Sequence, residues 1–294
     1  MELWTGVAAL DDLTDGSCGP YTGVYLGFPY CRPYPGNLLE AGEDLARAVG
    51  FLHRRGQKAF LATPPAPATA DLAWIAAAVG RAREAGIDGA YVHNLGLVRL
   101  LSRAHPDLPL HAGCFANVYT GLTAGLLAGH GVRRVAPHFE LSLAEMRAIG
   151  EGTGLEVEVL VHGAMPLSLT DRCHAVTALD QECPLACRGE RWLTAGDLRL
   201  RTMGQALWSG RDVCLAEHMA RLGHASFVFR VESLGRDGAW RRAVGEIYAR
   251  LLAGEPLAPA AMDELARLAP WGLCNGYYFG LSGRTYVNGR GEVA

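Results

Sequence analysis

Short apolar runs alternate with segments of helical period along most of this chain, and that alternation limits the fold more than any other feature. Seven runs read as strands up to Gly163: LWTGVAAL at the start, GVYLG (23–27), KAFLAT (58–63), GAYVHN (89–94), LPLHAG (108–113), VRRVAPH, and LEVEVLVHG (155–163). An eighth, ASFVFRVES (225–233), follows the helix-like stretch RDVCLAEHMARLG. Between them lie segments with apolar residues at helical spacing, such as Leu38, Leu39, Leu45, Val49 and Leu52 within 38–56. Strands that alternate with helices predict βαβ units and a parallel sheet. Eight such units predict a TIM-type (β/α)8 barrel within a single domain covering 1–294. A doubly wound sheet fits the same alternation, but no GxGxxG or Walker sequence follows any strand, which weighs against its dinucleotide-binding form.

The 294 residues are half hydrophobic, enough for one large core. Net charge is −3, so no broad phosphate-neutralising face is expected and nucleic acid is a poor candidate partner. The N-terminus begins in a strand-like run and lacks the basic and apolar regions of a secretory signal. No stretch is long and apolar enough to span a bilayer. The expectation is a cytoplasmic protein, where clustered cysteines point to metal or redox chemistry more than to disulfides.

The block 164–210 breaks the rhythm. It shows no clear helical stripe and is expected to be an enlarged loop after strand seven, on the face where barrel active sites sit. It holds Cys173, Cys183 and Cys187, in a chain with eight cysteines. Thiolates are soft ligands for zinc or iron–sulfur clusters. The CxxC pairs of most structural zinc sites are absent, and the looser Cys-x9-Cys-x3-Cys spacing suits a cluster with widely separated corners. Three unrelated loop cysteines are the plainer reading of the same residues. Cys18, Cys114 and Cys274 are expected to be loop, core or terminal residues without ligand roles.

His93, His111, His138 and His162 each end a predicted strand, so they are candidates to line one pocket at the barrel's active face; each is equally a core or rim imidazole. A mononuclear site would need Glu140 or Asp171 beside them. Asn94, Asn117 and Glu140 also follow predicted strands, either to bind a substrate's polar groups or to cap the next helix, and capping is the expectation for Asn117 and Ser142. Arg172, Arg188, Arg191, Arg199 and Arg201 gather in and after the cysteine block, either to bind an anion or as a solvated surface. Arg230 and Glu232 alternate with Phe227 and Phe229 on the eighth strand, and one of the two polar residues is expected to reach the barrel mouth. GxSxG and HExxH are absent, so peptide hydrolysis is not expected. The segment after Leu234 predicts a helix at 238–254, a proline-containing linker, a short helix, and a polar, partly mobile tail at about 281–294.

EVEVLVHGAMPLSLTDRC resembles the signature region of the U32 peptidase-like (collagenase-like) family, and GVYLG, HFELSLAEM and SGRDVCLAEHMARLGHASFVFRVES match further family segments. GVYLGFPYC, CPLAC and CNGYYFG resemble the short members that act in oxygen-independent ubiquinone synthesis. The resemblance implies a barrel carrying a 4Fe–4S cluster on Cys31, Cys173, Cys183 and Cys187. It also implies hydroxylation of a small aromatic substrate with a prephenate-like oxygen donor, alongside a homologous UbiU-like subunit in a heterodimer. Three departures stand out. Arg32-Pro-Tyr-Pro replaces the basic run usual after the first cysteine, the spacing between the second and third ligands is shorter, and Cys214 lies where other members place their last ligand, leaving Cys31 or Cys214 as the fourth. Relatives that hydroxylate RNA bases, or a non-catalytic cluster-bearing partner subunit, are the alternatives.

Overall fold

A computed structural model of the chain describes residues 1–40, 42–179, 183 and 191–293. Among them, eight parallel strands close into a barrel: β1 Leu3–Val7, β2 Gly23–Leu26, β3 Lys58–Ala62, β4 Gly89–Val92, β5 Leu110–Ala112, β6 Val132–Val135, β7 Glu156–Leu169 and, last in the ring, Phe227–Glu232. The last strand pairs in parallel with both β7 and β1, which completes the cylinder. All eight strands expected from the sequence are present, and the architecture is the TIM barrel rather than an open sheet.

The helices lie where the periodicity puts them. α1 is the turn Asp11–Thr14, and α2 Gly42–His53 buries Leu45, Ala48, Val49 and Leu52. α3 Leu72–Glu84, α4 Leu95–Ala104, α5 Gly121–Ala128 and α6 Leu143–Thr153 follow. Ser142 caps α6 in a reciprocal box with Glu145, and Asn94 accepts a bond from the Leu97 N–H at the start of α4. Asn117 caps no helix start: it sits at φ 55° closing a 3₁₀ turn, and Thr120 caps α5 instead.

Inside the barrel, Trp4, Tyr25, Phe60, Ala62, Tyr91 and Val228 form a packed layer. Tyr25 stacks on Tyr91 at 4.0 Å between centroids, and Phe60 stacks on His111 at 4.0 Å. At the N-terminal end Arg134 lies over Trp4 and bonds Glu2 and Glu156, closing the floor.

The region after β7 is not a loop. β7 runs on past the barrel, bending at Gly163, whose φ is +105°. A β-carbon there would stand 2.4 Å from the Glu232 carbonyl, so only glycine lets the strand leave the cylinder at this point. The outer half of β7 continues to Leu169, followed by a short helix, α7 His174–Leu179. Then β8 Trp192–Ala195, β9 Leu198–Met203 and β10 Ala206–Cys214 form an antiparallel meander that pairs back onto β7. The eighth barrel strand is therefore β11. β10 takes up the first part of the stretch expected to be helical at RDVC, and only a 3₁₀ turn, Ala216–Arg221, remains of it.

Helices α8 Gly238–Leu252 and α9 Pro259–Arg267 complete the shell. A two-residue strand, β12 Leu273–Cys274, adds to β10. The tail is tied down rather than loose: Val287 is buried, its carbonyl meets the His218 ring at 2.9 Å, and Asn275 bonds it in both directions.

Candidate functional site

Two neighbouring cavities lie on the C-terminal side of the barrel. The first, about 300 Å³, sits between the loop after β2, the loop after β3 and the outer half of the β7–β10 extension. Cys31, Cys173 and Cys183 all line it, together with Tyr30, Arg32, Trp74 and Arg191. Cys31 and Cys173 are half-buried and Cys183 is exposed; Cys187 and Arg188 lie outside the described residues. Arg32 is fixed over the Trp74 ring at 4.2 Å and paired with Glu40.

Among the described residues no three His, Cys, Asp or Glu side chains gather tightly enough to grip a single metal ion. Three thiols, Cys31, Cys173 and Cys183, face one chamber. That is a soft donor set of the kind that can hold an iron–sulfur cluster. Cys214 is elsewhere. It is buried under α8, with the Tyr248 hydroxyl 3.8 Å from its sulfur, and burial pushes its thiol up to about 11. It does not line the thiol chamber.

The second cavity, about 40 Å³, is the mouth of the barrel itself. Arg230 of β11 reaches between two carboxylates: one guanidinium nitrogen meets Glu158 at 3.3 Å and the other meets Glu232 at 2.5 Å. Glu158 also accepts from the hydroxyls of Tyr25 and Tyr91. Burial works against the Arg230 charge, but Glu232, Tyr91 and Glu158 outweigh it and hold the guanidinium firmly protonated. Both polar residues expected on the eighth strand, Arg230 and Glu232, therefore line the mouth. Cys114 lines it too, and burial drives its thiol up to about 12, which withholds the thiolate a cysteine hydrolase needs. Tyr30 is the one described residue shared by the two cavities: it precedes Cys31, and its ring also reaches the barrel mouth.

The four histidines do not share a pocket. His93 is buried near the mouth, 4.7 Å from Tyr91 and 5.6 Å from Phe115 between ring centroids; burial and then Arg230 push it down to about 3. His111 is deeper in the barrel, against Phe60 and within 3.1 Å of the Tyr25 hydroxyl, and burial holds it neutral. His138 is on the rim, stacked on Tyr119 with Glu140 at 3.5 Å. His162 faces outward against Trp240 and Tyr248 of α8, where burial pushes it down to about 3. The strand ends are equivalent in sequence, but the pleat and the bulge after Leu160 turn these rings in different directions. Arg172 and Asp171 are exposed beside Cys173, while Arg201 is buried against the Leu234 carbonyl, 6.0 Å from the Trp208 ring centre.

The sequence pattern does not single out Tyr30, Trp74 or Glu158. Glu158 carries a legible signal, a carboxylate at an inward position of a buried strand. Tyr30 and Trp74 become site residues only when distant segments meet.

The fold and site define a class: a (β/α)8 barrel with a thiol-lined chamber beside its C-terminal mouth. The chain belongs to peptidase family U32, whose model matches residues 19–288. It is 26% identical over 222 residues to an uncharacterized protease of Methanocaldococcus jannaschii, covering 70% of this chain and 54% of that one. It is 26% identical over 238 residues to the 23S rRNA 5-hydroxycytidine synthase of Escherichia coli, covering 78% and 36%. Further relatives are named tRNA hydroxylation proteins. The chain thus spans between about a third and just over half of the length of the first two relatives. A putative dihydrodipicolinate synthetase from Pseudomonas aeruginosa superposes with a TM-score of 0.51 at 10% identity, covering 92% of this chain and 82% of that one, a likeness of fold alone. Among the described residues no helix is long and apolar enough to cross a membrane.

Proposed function

We propose that this chain is an iron–sulfur protein of oxygen-independent hydroxylation, acting on a small aromatic substrate. In this reading Cys31, Cys173, Cys183 and Cys187 hold a 4Fe–4S cluster, as in UbiV of ubiquinone synthesis. The observation that carries it is the meeting of Cys31, from the loop after β2, with Cys173 and Cys183 from the extension around one chamber. The absence of Cys214 from that chamber favours Cys31 as the fourth ligand. When bound, the cluster supplies one-electron transfer; with four thiolate ligands no iron is left open.

The chain's own residues do the rest. Arg230, Glu158 and Glu232 present fixed charges and hydrogen-bonding groups at the barrel mouth, and Phe139, Met146 and Leu160 give it apolar walls. At about 40 Å³ the mouth admits no more than the polar edge of a substrate, which in this reading these groups orient. A prephenate-like oxygen donor, a prenylated phenol as acceptor and a UbiU-like homologous subunit complete the proposal.

Hydroxylation of an RNA base is the second reading, favoured by the names of the rRNA and tRNA relatives. The net charge of −3 weighs against it. The test is a strain lacking this chain, grown without oxygen. Loss of ubiquinone with accumulation of an unhydroxylated precursor supports the first reading; normal ubiquinone with an unmodified RNA base supports the second.

A further inference from the structure

We propose that the turn Gly204–Gln205, between β9 and β10, is a clasp that holds Cys31 and Cys173 in register, which makes Gln205 a positioning residue for the thiol chamber. The inference rests on the reading that these cysteines share one ligand.

Cys31 and Cys173 belong to segments far apart in the chain, and one turn bonds both. The Gln205 N–H donates to the Tyr30 carbonyl at 2.9 Å, beside Cys31. The Gln205 carbonyl accepts from the Thr170 N–H at 2.9 Å and its hydroxyl at 3.3 Å. The Gln205 side-chain amide donates to the Asp171 carbonyl at 2.7 Å, two residues before Cys173. The His174 N–H, one residue after Cys173, donates to the Gly204 carbonyl at 3.3 Å. Gly204 and Gln205 themselves line the chamber.

Gly204 is required by geometry. Its φ is +58°, and a β-carbon there would stand 2.2 Å from the Tyr30 carbonyl oxygen and 2.9 Å from the Cys31 β-carbon. The turn thus presses directly on the Cys31 backbone. Because the Tyr30 ring lines the barrel mouth, the same clasp also fixes the thiol chamber relative to the mouth. A misplacement of even an ångström at such a site is costly.

The test uses the full-length, iron-free chain, in a Cys183→Ser/Cys187→Ser background that leaves Cys31 and Cys173 as the thiol pair of the chamber. Phenylarsine oxide is titrated under reducing, anaerobic conditions; it bridges two thiols within reach of one arsenic and releases water. The background protein is expected to bind it. Gln205→Glu, which puts an acceptor against the Asp171 carbonyl, should weaken binding at least tenfold, and Gly204→Ala more. Gln205→Lys, which keeps a donor at that position, should bind within a few-fold of the background protein. Near-UV circular dichroism checks that each variant retains its fold. Undiminished binding by Gln205→Glu, or no binding by the background protein, overturns the proposal. Iron uptake by the unsubstituted chain is measured separately. If the arsenical results hold and iron is not taken up, the clasp stands and the cluster reading falls.

Discussion

The barrel and the β7–β10 extension are built on opposite principles, although they share a strand. The barrel is closed and its interior is filled, from the Trp4–Tyr25–Phe60–Tyr91 layer up to the Arg230 carboxylate bridge. The extension has a small apolar cluster of its own, in which Phe28, Tyr30, Met203 and Trp208 take part, while Leu193 and Leu198 on its outer strands are exposed. In β8 and the first half of β9, backbone pairing replaces core burial. A region with little packing gains most from a ligand that binds only its folded form. The barrel supplies a rigid wall, and in the proposed reading a group held by the cysteines would complete the extension.

Loss of the proposed cluster should therefore separate the two regions, and this is the largest effect expected. Cys173→Ser should abolish iron retention and expose bonds within 191–200 to limited proteolysis, while the barrel core and the turn Gly204–Gln205 stay resistant; cleavage spread evenly along the chain would contradict the contrast. Cys214→Ala, by comparison, should keep full iron.

In the barrel, Arg230→Met leaves Glu158 and Glu232 facing each other without their cation. Urea unfolding should show a loss of about 3–5 kcal/mol, with protease sensitivity of the extension unchanged. A smaller effect comes from pH. His93 and His162, pushed from 6.5 to about 3 by burial, are neutral in the folded chain. Above about pH 6.5 they are neutral in both states and contribute nothing to the pH dependence. Below it the unfolded chain takes up protons that the folded chain refuses, so stability falls by roughly 1.4 kcal/mol per pH unit for each histidine as pH drops toward 4. His162→Gln should flatten that slope in a urea series run from pH 7 to 4. Smallest of all, Ser142→Ala should cost about 1 kcal/mol through the lost cap of α6 and leave iron content untouched.

The same contrast explains what could be read from sequence. Barrel strands are buried on both faces, so their continuous apolar runs are conspicuous, and each helix carries a one-sided stripe. In the extension, β8 and the start of β9 are exposed or half-exposed. β9, Leu198-Arg-Leu-Arg-Thr-Met, alternates with period two, but its arginines make it resemble a charged loop. Reading that alternation would have predicted the meander. Spacing and resemblance suggested the cysteine set, and the three of its members that are described line one chamber. The histidines misled because ending a strand does not fix the direction of the last side chain: one bulge sent His162 toward α8. Tyr30 and Gln205 had no local signal at all. Their significance is a hydrogen bond between segments that only the closed fold brings together.

Whether thiols from distant segments close around one iron–sulfur core is read most directly from the metal content of the protein purified without oxygen. That protein should be brown, with about four irons and an equal amount of acid-labile sulfide per chain, both lost on long exposure to air. A colourless protein carrying stoichiometric zinc, or no metal at all, would contradict it.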